Sequence, residues 1–331
     1  FGLLISRDGL GVAQVSIDHG VIHAVAELTL ILVLFSDASR IDLARLGNDH
    51  NLPKRTLLIG LPLVMLAGFT AALWLFPGAT VWEAALLAAI LAPTDAALGQ
   101  AVVSNQNVPV RIRQALNVES GLNDGIALPA VLMFAALSTM PAGADMWTGK
   151  WLWFGIKQVT LGPLAGIAIG YVGAKLIDSA SSRTWMTPAA EGIAVLALAL
   201  LAYLGAELIG GNGFISAFVA GLVFGHTLRH PCEFLFEFME SEGQLLMLVT
   251  FLIFGTTLLP EALHQLNGSV IIYAVLSLTL VRMIPVAVSL IGSRLAVPSF
   301  LFIGWFGPRG LASILFALLI LEKEQIPHAH E

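Results

Sequence analysis

Two acidic clusters lie inside stretches that are otherwise apolar. Pro93-Thr94-Asp95 sits in the middle of AALLAAILAPTDAALGQAVV, and Glu119-Ser120-Gly121-Leu122-Asn123-Asp124-Gly125 runs straight into IALPAVLMFAAL. A carboxylate at membrane depth costs several kcal/mol unless something binds it. Asp95 and Asp124 therefore point to a small cation or a proton as their partner. Hard cations prefer oxygen ligands. Asp95, Asp124, Ser120, Thr94 and Asn123 supply carboxylate, hydroxyl and amide oxygens, and the breaker Pro93 frees backbone carbonyls beside them. On a helix Ser120 and Asp124 are i,i+4 and share a face, with Glu119 and Asn123 on the neighbouring stripe. Gly121 and Gly125 form a GxxxG that lets another helix approach closely.

The competing role for these carboxylates is to pair with buried arginine and hold the fold. Arg282 in LTLVRMIPVAV and Arg309 in WFGPRGLAS are the arginines well inside apolar stretches. Arginine cannot be deprotonated and is a fixed charge, so both are expected to be structural or electrostatic rather than proton carriers. Asp95, Glu119, Asp124 and Asp37 outnumber them, which argues against an anion site. Asp37, in LILVLFSDASRID, stands near the end of its span and is either an interfacial Asp or a further ligand.

The elements that must position these residues are membrane spans. The chain has 331 residues, of which 57% are hydrophobic and 11% charged, and a mean hydropathy of +0.86. A soluble domain carries about 25% charged residues. An all-α polytopic membrane protein is expected, as one transmembrane domain over 1–331. Windows of about 20 apolar residues mark about ten spans, near 21–38, 56–76, 80–103, 114–138, 152–177, 189–209, 213–228, 243–260, 268–291 and 298–321. Basic residues alternate between successive loops, which places loops 39–55 and 104–113 in the cytoplasm. Breakers fall at mid-depth in two spans, at Pro93 and across Gly304–Gly310. Paired interruptions of this kind mark a transporter's binding site.

Other signals exclude more than they assign. The net charge of −6 is spread along the chain and offers nothing to nucleic acid. The lone Cys232 excludes an intrachain disulfide. The chain opens on Phe1 without Met or a basic leader, as the inside of a longer protein would. His226, His230 and Cys232 form only a weak zinc pattern. Glu233, Glu237, Glu240 and Glu242 read as a solvated face, and of Glu83, Glu191 and Glu207 only Glu207 stands out. No phosphate-binding loop, HExxH, GxGxxG or nucleophile elbow is present. An enzyme and ATP-driven transport are both unsupported, and no cofactor is expected beyond the transported Na+ and H+.

APTD at 92–95, ESGLND at 119–124, FGPRG at 306–310 and GNGFISAFVAGLVFG at 211–225 together resemble the monovalent cation:proton antiporter-1 family, the NhaP-type and NHE-type sodium/proton exchangers. The resemblance implies an inverted-repeat fold of about thirteen spans with two broken, crossing helices, a homodimer and an elevator-like alternation. The spans found here then match the third to the twelfth, with spans missing at both ends. The resemblance makes Asp124 the essential cation- and proton-binding residue, with Asn123 as its partner. Thr94 and Asp95 become the unwound-helix ligands and Ser120 a further ligand, so that Na+ would sit at Asp124, Asp95, Ser120 and Thr94. Asp37 fits an acidic ligand of the third span. Glu119 is implied to pair with Arg282, and Arg309 to be the arginine of the second broken helix. A bacterial inner membrane is the implied location.

Competition of cation and proton for Asp124, with alternating access, is sufficient for antiport. Asn123 in place of a second Asp leaves one titrating carboxylate, so exchange is expected to be one for one and electroneutral. Potassium/proton exchange is the alternative on the same scaffold. An ion channel would need a pore and filter that the sequence does not display. A non-transporting membrane sensor would have no use for five oxygen ligands at mid-depth.

Overall fold

The computed structural model describes residues 1–6, 9–11, 19–41, 51–95, 105, 107–139, 149–228, 233–293 and 295–321. They are helical almost throughout: α1 Gly2–Ile5, α2 His19–Ser39, α3 Asn51–Arg55, a π-turn at Thr56–Gly60, α4 Leu61–Leu75, α5 Val81–Ile90, α6 Val110–Ser138, α7 Gly149–Ser182, α8 Pro188–Leu208, α9 Gly213–Thr227, α10 Glu233–His264, α11 Gly268–Leu278, α12 Leu280–Ser289, α13 Val297–Trp305 and α14 Leu311–Leu321. Prolines at 129, 163, 260 and 285 lie inside helices, where a missing N–H and a ring clash bend the axis.

Among the described residues seven helical stretches are long and apolar enough to cross a membrane: Gly20–Ser39, Leu52–Leu75, Val110–Ser138, Ile156–Ser182, Pro188–Leu208, Gly243–His264 and Gly268–Ser289. Outward-facing Leu201, Leu204, Leu208, Ile271, Ile272 and Val275 are exposed, an apolar surface of the kind that marks contact with lipid. The other three expected spans are shorter helices or helix pairs. Val81–Ile90 is followed by residues 96–104 outside the described set. Gly213–Thr227 has 15 residues, about 22 Å of helix against a hydrocarbon core of about 30 Å. The last is divided into α13 and α14 by the non-helical 306–310.

The chain falls into two compact units, 1–24 with 45–140 and 250–331, and 25–44 with 141–249. In the first, α3, α6, α12 and α13 share a core of Leu52, Ile112, Leu116, Val286, Leu290 and Ile303. A neighbouring core joins α4, α6 and α12 through Leu61, Val64, Ala127 and Val281, with the non-helical Ala92 packed among them. The candidate residues Thr94, Asp95, Glu119, Ser120, Asn123, Asp124, Arg282 and Arg309 all belong to this unit.

The second unit is built round α9, whose residues 213–218 are all buried. A Cβ built on Gly162, Gly166 or Gly170 of α7 would meet the backbone carbonyl of Asn212, Ser216 or Ala220 at 2.9, 2.5 and 2.6 Å. On another side, Gly221 and Gly225 bring α9 against the α2 backbone at Phe35 and Ser39. Without a hydrophobic driving force between helices in lipid, such small-residue contacts supply the association. The polar ends are also satisfied: Asn212 caps α9 by accepting from Ile215 N at 3.0 Å, and Glu207 Oε1 accepts from Gly213 N at 2.8 Å. The Tyr203 hydroxyl donates to Glu27. Glu207, singled out in the sequence, is therefore a cap.

Gly166→Leu should separate α7 from α9 and destabilise the protein by about 1–3 kcal/mol, the usual scale of overpacking. Gly268→Ala, where a Cβ meets nothing within 4 Å, should be close to neutral. Melting temperature in detergent checks both, and a Gly166→Leu protein that melts like the parent would contradict the packing described.

Candidate functional site

The site begins where α5 cannot continue. Pro93 has no N–H to donate and disfavours helical backbone at Ala92, and Leu91 already leaves the helix at φ −92, ψ 0. Each carbonyl freed by this break must find a donor, because lipid offers none. The Ile90 carbonyl accepts from Ser313 Oγ of α14 at 2.7 Å. The Pro93 carbonyl accepts from Arg309 Nη1 at 3.3 Å. The Thr94 carbonyl accepts twice, from Ser120 Oγ at 2.7 Å and Asn123 Nδ2 at 2.9 Å, both on α6. Asn123 Nδ2 also donates to Thr94 Oγ1 at 2.8 Å. Thr94, Ser120 and Asn123 are all buried.

This arrangement decides which oxygens remain for a ligand. Two donors occupy the two lone pairs of the Thr94 carbonyl. Ser120 spends its proton on that carbonyl and keeps lone pairs on Oγ. Asn123 Oδ1 is buried with no hydrogen-bond partner among the described residues. Asp124 follows on the same helix, four residues after Ser120, with its Oδ1 buried. The structure thus brings Thr94, Ser120 and Asn123 into one hydrogen-bonded cluster, and the two carboxylates, Asp95 and Asp124, are the next residues along each chain segment.

The second interruption meets the first. Asp95 N donates to the Pro308 carbonyl at 2.9 Å. The Arg282 side chain is 3% exposed and Glu119 7%, so neither charge is left to water. Arg282 Nη2 donates to Glu119 Oε1 at 3.0 Å and to the Phe306 carbonyl at 3.2 Å. Arg309 reaches the Pro93 carbonyl and, through Nη2, the Ser277 carbonyl at 2.9 Å. It stands within Coulombic reach of Arg282 and Glu119.

One feature was not visible in the sequence reading. The span 268–291 is kinked at Thr279, φ −117, ψ −98, between α11 and α12, close to the Ser277 carbonyl that takes Arg309. Ser277 and Thr279 are polar residues in an otherwise apolar stretch, which is the signal that was available. Asp37 lies on α2, partly buried, in the second unit. His226 lies near the end of α9, whereas His230 and Cys232 fall outside the described residues. Among the described residues no group of three or more His, Cys, Asp or Glu side chains could hold a metal ion. A cation at this site must draw on hydroxyl, amide or carbonyl oxygens as well as carboxylates.

The sequence profile of the transmembrane sodium/hydrogen exchanger family matches residues 1–330. The chain belongs to that family. Within it, the chain is a member of the monovalent cation:proton antiporter-1, NhaP-type, branch, and membership places it among membrane transporters rather than enzymes. It is 27% identical over 329 residues, 96% of the chain, to a protein of Shewanella oneidensis named K(+)/H(+) antiporter NhaP2. It is 27% identical over 264 residues, 76% of the chain, to Na(+)/H(+) antiporter 2 of Zygosaccharomyces rouxii. These alignments cover 54% and 32% of the two relatives, so the chain spans about half or less of their length. Among solved structures, the sodium proton antiporter MjNhaP1 of Methanocaldococcus jannaschii at pH 8 superposes with a TM-score of 0.76 at 20% identity. That match covers 97% of this chain and 80% of the other. At that identity the match establishes the antiporter fold.

Removing one partner of a buried pair leaves an uncompensated charge and costs about 3–5 kcal/mol. Glu119→Ala should therefore lower the melting temperature of the protein more than it weakens any cation binding. A Glu119→Ala protein with parental stability and weakened binding would make Glu119 a ligand instead.

Proposed function

We propose that this chain is the exchanging core of a secondary active antiporter that swaps a monovalent cation, Na+ in the first reading, for a proton at Asp124. The observation that carries the reading is the buried Thr94–Ser120–Asn123 cluster on α6 and the interrupted segment after α5. It leaves lone pairs on Ser120 Oγ and a buried Asn123 Oδ1 in segments that run directly into Asp124 and Asp95. Asp124, Asp95 and Ser120 are the proposed ligands, with Thr94 and Asn123 holding the frame and Asn123 Oδ1 facing the ligand or a protonated Asp124.

The charge count supports one-for-one exchange. Asp95, Glu119 and Asp124 stand against Arg282 and Arg309, a formal balance of −1. One bound Na+ or one bound proton brings that balance to zero, and both together do not. The neutral loaded forms are the ones that cross cheaply, while the empty form carries an uncompensated charge. Exchange is then obligatory and electroneutral.

The further elements of the proposal follow the family. The interrupted segments 91–95 and 306–310 serve as the crossing points of two broken helices in inverted repeats, within a single exchanger domain of about ten spans out of about thirteen. The protein works as a homodimer in a bacterial inner membrane, with loops 39–55 and 104–113 cytoplasmic. A second reading, potassium in place of sodium, is favoured by the relatives named as K(+)/H(+) antiporters in Shewanella oneidensis and Alkalimonas amylolytica. Flux in proteoliposomes with sodium, lithium and potassium compared separates the two.

Asp124→Ala should abolish cation-dependent proton flux, read with a pH-sensitive dye in vesicles, while the protein still folds. Parental exchange by this variant would remove Asp124 from the site. Voltage provides an independent check. One net charge crossing the membrane couples at about 2.3 kcal/mol per 100 mV. Sodium-driven proton flux should reach the same end-point at zero and at a large negative potential set by potassium and valinomycin. An end-point that moves with voltage would implicate Asp95 as a second proton carrier.

A further inference from the structure

Gly310 closes the FGPRG motif, and its backbone does not need glycine. The glycines with positive φ among the described residues are Gly11, Gly210 and Gly292. What Gly310 supplies is space. A Cβ built on it would overlap Asp95 Oδ2, Cβ and Cγ. The Asp95 side chain therefore lies directly against the Gly310 Cα.

We propose that Gly310 is a positioning residue for the Asp95 carboxylate, and that its missing side chain fixes where that oxygen ligand stands in the cation site. The inference rests on the reading of Asp95 as a cation ligand and goes beyond it, because Gly310 touches neither cation nor proton. The backbone around Asp95 is held from both sides. Asp95 N is tied to the Pro308 carbonyl, two residues before Gly310. The preceding carbonyl, of Thr94, is held by Ser120 and Asn123. A methyl group at 310 can be accommodated only by displacing the whole Asp95 side chain, Cβ included, against the bonds that hold its backbone. The contrast with Gly307 sharpens the point. A Cβ there would overlap Arg282 Nε, Cδ and Cζ, the far end of a long side chain that has rotamers to spare. At Gly310 the overlap includes the Asp95 Cβ, which no rotamer moves.

The geometry also makes the effect specific to the cation. Displacing one carboxylate takes an oxygen from Na+ but leaves Asp124 able to carry a proton. The loss should appear in the apparent cation affinity rather than in the maximal rate at saturating cation.

The test compares Gly310→Ala with Asp95→Asn in proteoliposomes of the purified protein, measuring KM for Na+ and the maximal exchange rate. Melting temperature is measured with and without Na+. Both variants should raise KM by about tenfold or more and lose most of the Na+-induced rise in melting temperature. A Gly310→Ala protein with unchanged KM and a lower rate would show a glycine that matters only for packing, and would overturn the proposal. If Asp95→Asn keeps the parental KM, Asp95 is not a ligand, and both the ligand reading and the inference fall. If Asp95→Asn raises KM and Gly310→Ala does not, the inference alone falls. Should Gly310→Ala not fold, the double variant with Asp95→Gly must restore folded protein, because the three nearest overlapping atoms are all in the Asp95 side chain. Failure to restore it would overturn the steric link.

Discussion

The site depends on one constraint: backbone polar groups released at membrane depth must be satisfied by protein. Pro93 ends α5 inside an apolar stretch and leaves the carbonyls of Ile90, Pro93 and Thr94 without helical donors. Ser313, Arg309, Ser120 and Asn123 supply those donors. Two of the donors come from or near α14 and two from α6, so satisfying the break also fixes the relative positions of three segments. The hydrogen bonds that make the break tolerable are the ones that place the candidate ligands.

The same economy governs the charges. Arg282 pairs with Glu119 and donates to the Phe306 carbonyl, so one guanidinium joins α6, α12 and the second interruption. Arg309 joins the Pro93 carbonyl to that of Ser277 at the kink of the adjacent span. Neither arginine can lose its charge, and Asn123 has none to gain. In the proposed exchange the permanent charges are thereby separated in role from Asp124, whose protonation would change with the bound ion.

Much of this was legible in the sequence because the physics is local. Pro93 beside Asp95, and the i,i+4 spacing of Ser120 and Asp124, announce a break and a polar helix face. Long apolar runs gave α6, α7 and α8 for the same reason. The direction of the hydrogen bonds was not legible. Thr94 and Ser120 could be listed as oxygen ligands, but only the three-dimensional packing shows the Thr94 carbonyl already taken and Ser120 spending its proton on it. The Thr279 kink escaped because Arg309, which donates to the nearby Ser277 carbonyl, is 32 residues beyond Ser277, and no proline or glycine marks the kink itself. The role of Gly310 escaped because a glycine in a broken helix suggests flexibility, whereas here the structure uses its lack of volume.

The central claim is that cation and proton compete for one carboxylate. The most direct measurement is the number of protons released when Na+ binds to the purified protein in weakly buffered detergent solution. The measurement is made at a pH where the cation-free site is protonated. The account predicts about one proton released per cation bound, and none from Asp124→Asn. Saturable Na+ binding to the parent protein without proton release would place the two ions at separate sites and contradict the mechanism.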